Sequence, residues 1–145
     1  MRFVFIMNNL TFEKVWQENE LIELKITAVS KYVQAFQYCY IQRCDLIDIA
    51  KKIKCFISDY TNPLYLEFGK KEGNYTPSFA MCLFSEKTTG YIKVEVDVEI
   101  DDNFERKHRC KFYVYSELGL IEQLVEKIIL VSSKEIGYIA SLNND

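Results

Sequence analysis

Between Gly90 and Ser116 the chain reads GYIKVEVDVEI, a short polar connection, then KHRCKFYVYS. Ile92, Val94, Val96, Val98 and Ile100 alternate with Lys93, Glu95, Asp97 and Glu99, the period of a half-buried strand. In the returning limb His108, Cys110, Phe112 and Val114 share one face. Lys107, Arg109, Lys111, Tyr113 and Tyr115 share the other. Pairing Ile100 with His108 sets Val98 against Cys110, Val96 against Phe112 and Val94 against Val114. The same register puts Glu99 opposite Arg109 and Asp97 opposite Lys111, and such cross-strand charge pairs contribute roughly 0.2–1 kcal/mol each. A slip of one residue would turn every valine to water, so this hairpin has one sensible register. Val96 and Phe112 are then core residues.

The rest of the chain repeats this logic with changes of period. Phe12 to Gln17 is a short strand, and Asn19 and Glu20 turn the chain. Leu21 to Ser30 alternates cleanly. Tyr32 to Ile41 returns antiparallel, with Tyr32, Phe36, Tyr38 and Tyr40 against Val33, Ala35, Cys39 and Ile41, both sides partly covered. Then Leu46, Ile49, Ala50, Ile53, Phe56 and Ile57 recur at helical spacing behind Asp45 as N-cap, and Tyr60 to Pro63 breaks the helix near Asp59. Leu64 to Phe68 and Ser78 to Ser85 are further strands. After Ser116 the stripe Leu118, Ile121, Leu124, Val125, Ile128 and Ile129 marks a second helix that ends at Ser132 to Lys134. Ile136 to Ile139 packs loosely and Asn143 to Asp145 frays. The expected fold is α+β: one antiparallel sheet of about six strands, with helices near 45–58 and 117–132 packed on one face. It forms one domain over residues 1–145, with 1–10 and 134–145 peripheral.

Composition narrows the function. A net charge of -3 and pI near 5.3 argue against nucleic acid, whose binders carry a basic stripe. No segment is long and apolar enough for a membrane span, and Phe3 to Met7 is too short for a signal-peptide core. Five cysteines without paired spacing read as reduced thiols, which points to the cytoplasm.

No reactive constellation emerges. Glu95, Asp97, Glu99, Asp101, Asp102 and Glu105 miss the calcium-loop pattern, since position six from Asp97 is Asp102 and position twelve is His108. Lys107, Arg109 and Lys111 already neutralise part of that row. His108 and Cys110 share a strand face with nearly 7 Å between their backbones, long for a catalytic pair. Gly69 to Asn74 lacks the Lys-Ser/Thr of a phosphate loop. The expectation is no catalytic residue, no metal and no cofactor. Tyr91, Tyr113 and Tyr115 share the outward face with Glu95, Asp97 and Glu99, and tyrosine is a common anchor at protein interfaces. Those six are the candidate partner-binding residues.

Phe12 to Trp16, the strand pair from Leu21, LIDIAKKI from Leu46, LEFG from Leu66, GNYTPSF from Gly73, GYIKVEVDVEI from Gly90 and SELGL from Ser116 together resemble small bacterial immunity proteins found beside polymorphic toxins, of the wall-associated-toxin type. The resemblance covers about residues 12–130 and is one of architecture. It implies a cytoplasmic, non-enzymatic protein that blocks a cognate toxin domain by direct contact. It supplies no contact residues, because such surfaces diverge. The longer second helix and the tail after Ser132 depart from that pattern and leave a homodimer open. The rival reading is a small-ligand or enzymatic domain with a pocket between sheet and helices.

Overall fold

The computed structural model describes residues 8–69, 78–86, 90–103 and 106–143. Eight strands and two helices are seen among them: β1 Asn9–Glu18, β2 Leu21–Val29, β3 Gln34–Gln42, α1 Arg43–Ser58, β4 Leu64–Phe68, β5 Ser78–Glu86, β6 Tyr91–Asn103, β7 Arg106–Glu117, α2 Leu118–Ser133 and β8 Ile139–Ser141. They do not form the single sheet expected from the alternation. They form two antiparallel sheets of four strands, ordered β3-β2-β1-β8 and β4-β5-β6-β7. The cause is α1. It separates two meanders joined by short links, so β3 and β4 never pair, and β8 then returns to add to β1.

The β6–β7 hairpin has the expected register, with Ile100 opposite His108, Val96 opposite Phe112 and Val94 opposite Val114. Ile92, Val94, Val96 and Val98 are buried, and Phe112 packs against the core from a partly buried position. One hydrophobic cluster takes in both sheets and both helices. The sheets meet through aromatic rings. Phe12 of β1 lies 5.2 Å from Phe68 of β4, which lies 6.0 Å from Phe79 of β5. The helices therefore do not cover one face of one sheet. They pack on each other, with α1 reaching β3 and β4 while α2 reaches β1, β7 and β8.

A bulge in β1 decides several side-chain directions. Lys14 pairs with Leu24 but Trp16 pairs with Glu23, so Val15 is the extra residue. The bulge sends Trp16 outward, edge-on to Tyr40 at 5.9 Å. It also brings Lys14 and Gln17 onto the same inward side. Lys14 is only 1% exposed, and its Nζ donates to Gln17 Oε1 and, at 2.8 Å, to the Lys134 carbonyl. That places a cation at the C-terminal end of α2, where the helix dipole is negative. Asn19, at φ 54, makes the two-residue β1–β2 turn, a backbone region asparagine tolerates.

Two helix expectations need correction. The N-cap of α1 is Gln42, without a side-chain cap bond, and Asp45 instead lies in the first turn. On α2 Ile129 is exposed, and Val131 replaces it in the buried stripe. The segment after α2 is not loose either. The Lys14 amide donates to the Tyr138 carbonyl and the Gly137 amide to the Lys14 carbonyl, which seats β8 on β1. Asn143 then ties the two sheets together. Its Nδ2 donates to the carbonyls of Asn8 and Tyr115, both at 2.9 Å, and its Oδ1 accepts from the buried Ser116 hydroxyl at 2.7 Å.

Candidate partner-binding face

The outward face of the second sheet is built by register. Tyr65, Cys82, Glu95 and Tyr113 form one row across β4 to β7, and Glu67, Ala80, Asp97 and Lys111 form the next. The inward neighbours of these residues are the buried valines and phenylalanines, so the face stands on a packed core. All six candidates from the sequence lie on it. Tyr113 and Tyr115 are exposed, while Tyr91, Glu95, Asp97 and Glu99 are half-buried.

The ion pairs run diagonally across that register. Asp97 faces Lys111 across the strands, yet its carboxylate takes a forked pair of bonds from Arg109, Nε to Oδ1 at 3.0 Å and Nη2 to Oδ2 at 2.5 Å. Glu95 accepts from the Tyr113 hydroxyl at 3.0 Å and pairs with Lys111 Nζ at 3.3 Å. Diagonal neighbours lie about 7–8 Å apart, within reach of long side chains. This shift matters for the surface presented. The Asp97 and Glu95 side chains are 23% and 22% exposed, whereas Arg109 and Lys111 are 63% and 54% exposed. The acids form a lower layer, and cations and phenols form the layer a partner would meet.

Lys93 completes that layer, its ammonium 4.9 Å from the Tyr113 ring centre and 5.3 Å from that of Phe84. Tyr65 donates to Glu67 Oε1 at 2.8 Å. Burial of its hydroxyl and that hydrogen bond push its phenol up to about 12, so it stays neutral. The bond to Glu95 likewise raises Tyr113, and the bond to Asp97 raises Arg109. Sequence reasoning did not include Tyr65, Lys93, Arg109 or Lys111 among the site residues. The alternation marked Tyr65 as outward, but only the β4–β5 pairing puts it in the Glu95 row.

Other constellations contribute less. Among the described residues no group of three His, Cys, Asp or Glu side chains is placed to hold a metal. The His108 side chain, those of Asp101 and Asp102, Glu105, and Lys70 to Asn74 lie outside the described residues. All five cysteines are free thiols, with Cys39 buried and Cys44 and Cys55 exposed. Two surface hollows of about 500 Å³ and about 510 Å³ occur at Ser133 to Tyr138 and between α1 and Pro63-Leu64. No helix among the described residues is long and apolar enough to cross a membrane. Comparison with protein-family models finds no match to this chain, and comparison with curated proteins finds none either.

Proposed function

We propose that this chain is a non-enzymatic binding protein whose β4–β7 face docks on a cognate protein, and that this partner is a bacterial toxin domain that it blocks in the cytoplasm. The observation that carries the reading is the layering of that face. Tyr65, Tyr113, Tyr115 and Arg109 stand exposed on a sheet backed by buried valines, with carboxylates beneath holding Arg109 and Tyr113 in place. Tyrosine and arginine are the residue types that most often dominate binding energy, and side chains held before binding lose less entropy on docking. The half-shielded acids make an acidic partner patch acceptable against Arg109 and Lys111, while charge chiefly sets the association rate.

The face supports the reading of a protein partner; that the partner is a toxin rests only on the resemblance over residues 12–130. The test co-expresses this protein with a toxin domain sought among the products of neighbouring genes and follows growth, then mixes the purified pair. Protection with a stoichiometric complex is the expected result. Growth arrest with no detectable complex overturns the reading and favours the ligand-binding alternative.

A further inference from the structure

An antiparallel sheet is open to another chain at its outer strands, where one row of N–H and C=O groups has no ladder partner. Among the described residues the two sheets end in β3, β8, β4 and β7. Three of these edges are protected in ordinary ways. The strand β8 has 3 residues, β4 has 5 and carries Glu67, and β7 carries Arg109 and Lys111. Neither protection applies to β3. Its 9 residues, QAFQYCYIQ, contain no charge and no proline, and Phe36, Tyr38 and Tyr40 line its exposed side. At its centre the Tyr38 amide donates to Oε1 of the adjacent Gln37 at 2.9 Å. A side chain thus occupies a donor that points away from β2. In an antiparallel strand alternate residues point their N–H groups to the same edge, so Phe36 and Tyr40 present theirs beside it.

The strand also reads nearly alike in both directions about Tyr38. Gln34 mirrors Gln42, Ala35 mirrors Ile41, Phe36 mirrors Tyr40, and Gln37 mirrors Cys39. A two-fold axis through Tyr38 would set aromatic on aromatic on the outer side and, on the inner side, Ala35 against Ile41 and Gln37 against Cys39. This is the self-complementarity that an isologous dimer needs. We propose that the chain forms a two-fold homodimer by antiparallel pairing of β3 with β3 of a second copy, so that two four-stranded sheets join into one. The pairing leaves the β4–β7 face of each copy open, since that face belongs to the other sheet, and it stands independently of the toxin-binding reading.

Sedimentation of the full chain over a concentration series tests this with the wild type and Tyr38→Lys. Tyr38 is 43% exposed, so lysine fits without entering the core, but in the dimer two ammonium groups would face each other across the axis. A reversible wild-type dimer is expected, with a dissociation constant raised at least about tenfold by Tyr38→Lys, the far-ultraviolet spectrum being unchanged. A register probe accompanies it. Gln37→Cys sets a thiol opposite Cys39 of the second copy at a non-hydrogen-bonded position, where a Cα spacing of about 4.5 Å permits a disulfide. Mild oxidation should give a covalent dimer that Gln37→Cys combined with Cys39→Ala does not form. A wild type that stays monomeric at roughly 100 μM overturns the proposal. So does a dimer that Tyr38→Lys leaves equally tight, which would place the contact elsewhere, such as on Ile129 and Leu130 of α2.

Discussion

Replacing Phe68 with alanine should remove the ring on which the two sheets meet. Phe68 is fully buried, 5.2 Å from Phe12 of the other sheet at an interplanar angle of 35° and 6.0 Å from Phe79 at 70°. A buried Phe→Ala change costs about 3–5 kcal/mol, the lost transfer energy plus the cavity left behind. Each aromatic pair accounts for about 0.5–1.5 kcal/mol within that loss. Against a total stability of about 5–15 kcal/mol the variant keeps a fold but a marginal one. The thermal midpoint should fall by roughly 6–20 °C for a chain of this size. Urea unfolding followed by circular dichroism measures the loss, and an unchanged urea dependence would show that the unfolded surface is the same. The sharper arm is a double-mutant cycle with Phe12→Leu and Phe68→Leu. These residues lie in different sheets, so they couple only if the sheets pack face to face at this point, and a coupling of about 0.5–1.5 kcal/mol is expected. Additive effects, or a Phe68→Ala cost below about 1 kcal/mol, would refute the shared core.

Further expectations concern the core and its titrations. Val96→Asp, at a site with no exposure, should cost several kcal/mol by burying an unpaired carboxylate, and an unchanged urea midpoint would mean the β6 faces are reversed. Burial pushes the Cys39 thiol up to about 12 from an ordinary 9, with Glu23 adding to the shift. Stability is then fully present below pH 9 and is lost by about 1 kcal/mol per pH unit as pH rises towards 12. The difference between wild type and Cys39→Ala in alkaline unfolding should show that slope, and a flat difference would contradict the burial. Lys14 works in the opposite sense. Burial, with Arg43 nearby, lowers its pKa, so the unfolded chain binds the proton more tightly and stability rises with pH up to about 10.5. Comparing wild type with Lys14→Met between neutral pH and 10.5 should reveal that rise, and a flat difference would place the amine in solvent.

Local order was legible wherever periodicity was long. The β6–β7 register follows from five alternating apolar residues in β6 and charged facing positions, and both helices follow from a change of period. Sheet membership was not legible. Alternation shows that a strand has a buried side, not which distant strand it joins, and β8 has only 3 residues in which to show any period. Lys14 follows Leu10 and Phe12 on the inward side by plain alternation; what the bulge at Val15 hid is that Trp16 turns outward and Gln17 inward. The aromatic side of β3 read as partly covered, yet Phe36 is 47% and Tyr40 55% exposed. On the candidate face the outward direction of these residues was legible but their layering was not. Directly opposed charges suggested one set of pairs, whereas the reach of Arg109 and Lys111 selected the diagonal carboxylates.

Calorimetric titration of the proposed partner, a toxin domain sought among the products of neighbouring genes, into a short series of variants tests the central claim most directly. Tyr113→Ala and Arg109→Ala alter the β4–β7 face at exposed positions, and Tyr40→Ala alters the opposite sheet as a control. The expected result is tight one-to-one binding by the wild type and by Tyr40→Ala. The two face variants should each weaken affinity by roughly thirtyfold, the equivalent of about 2 kcal/mol at a hot spot. Full affinity in both Tyr113→Ala and Arg109→Ala, or a loss confined to Tyr40→Ala, would contradict the assignment of this face.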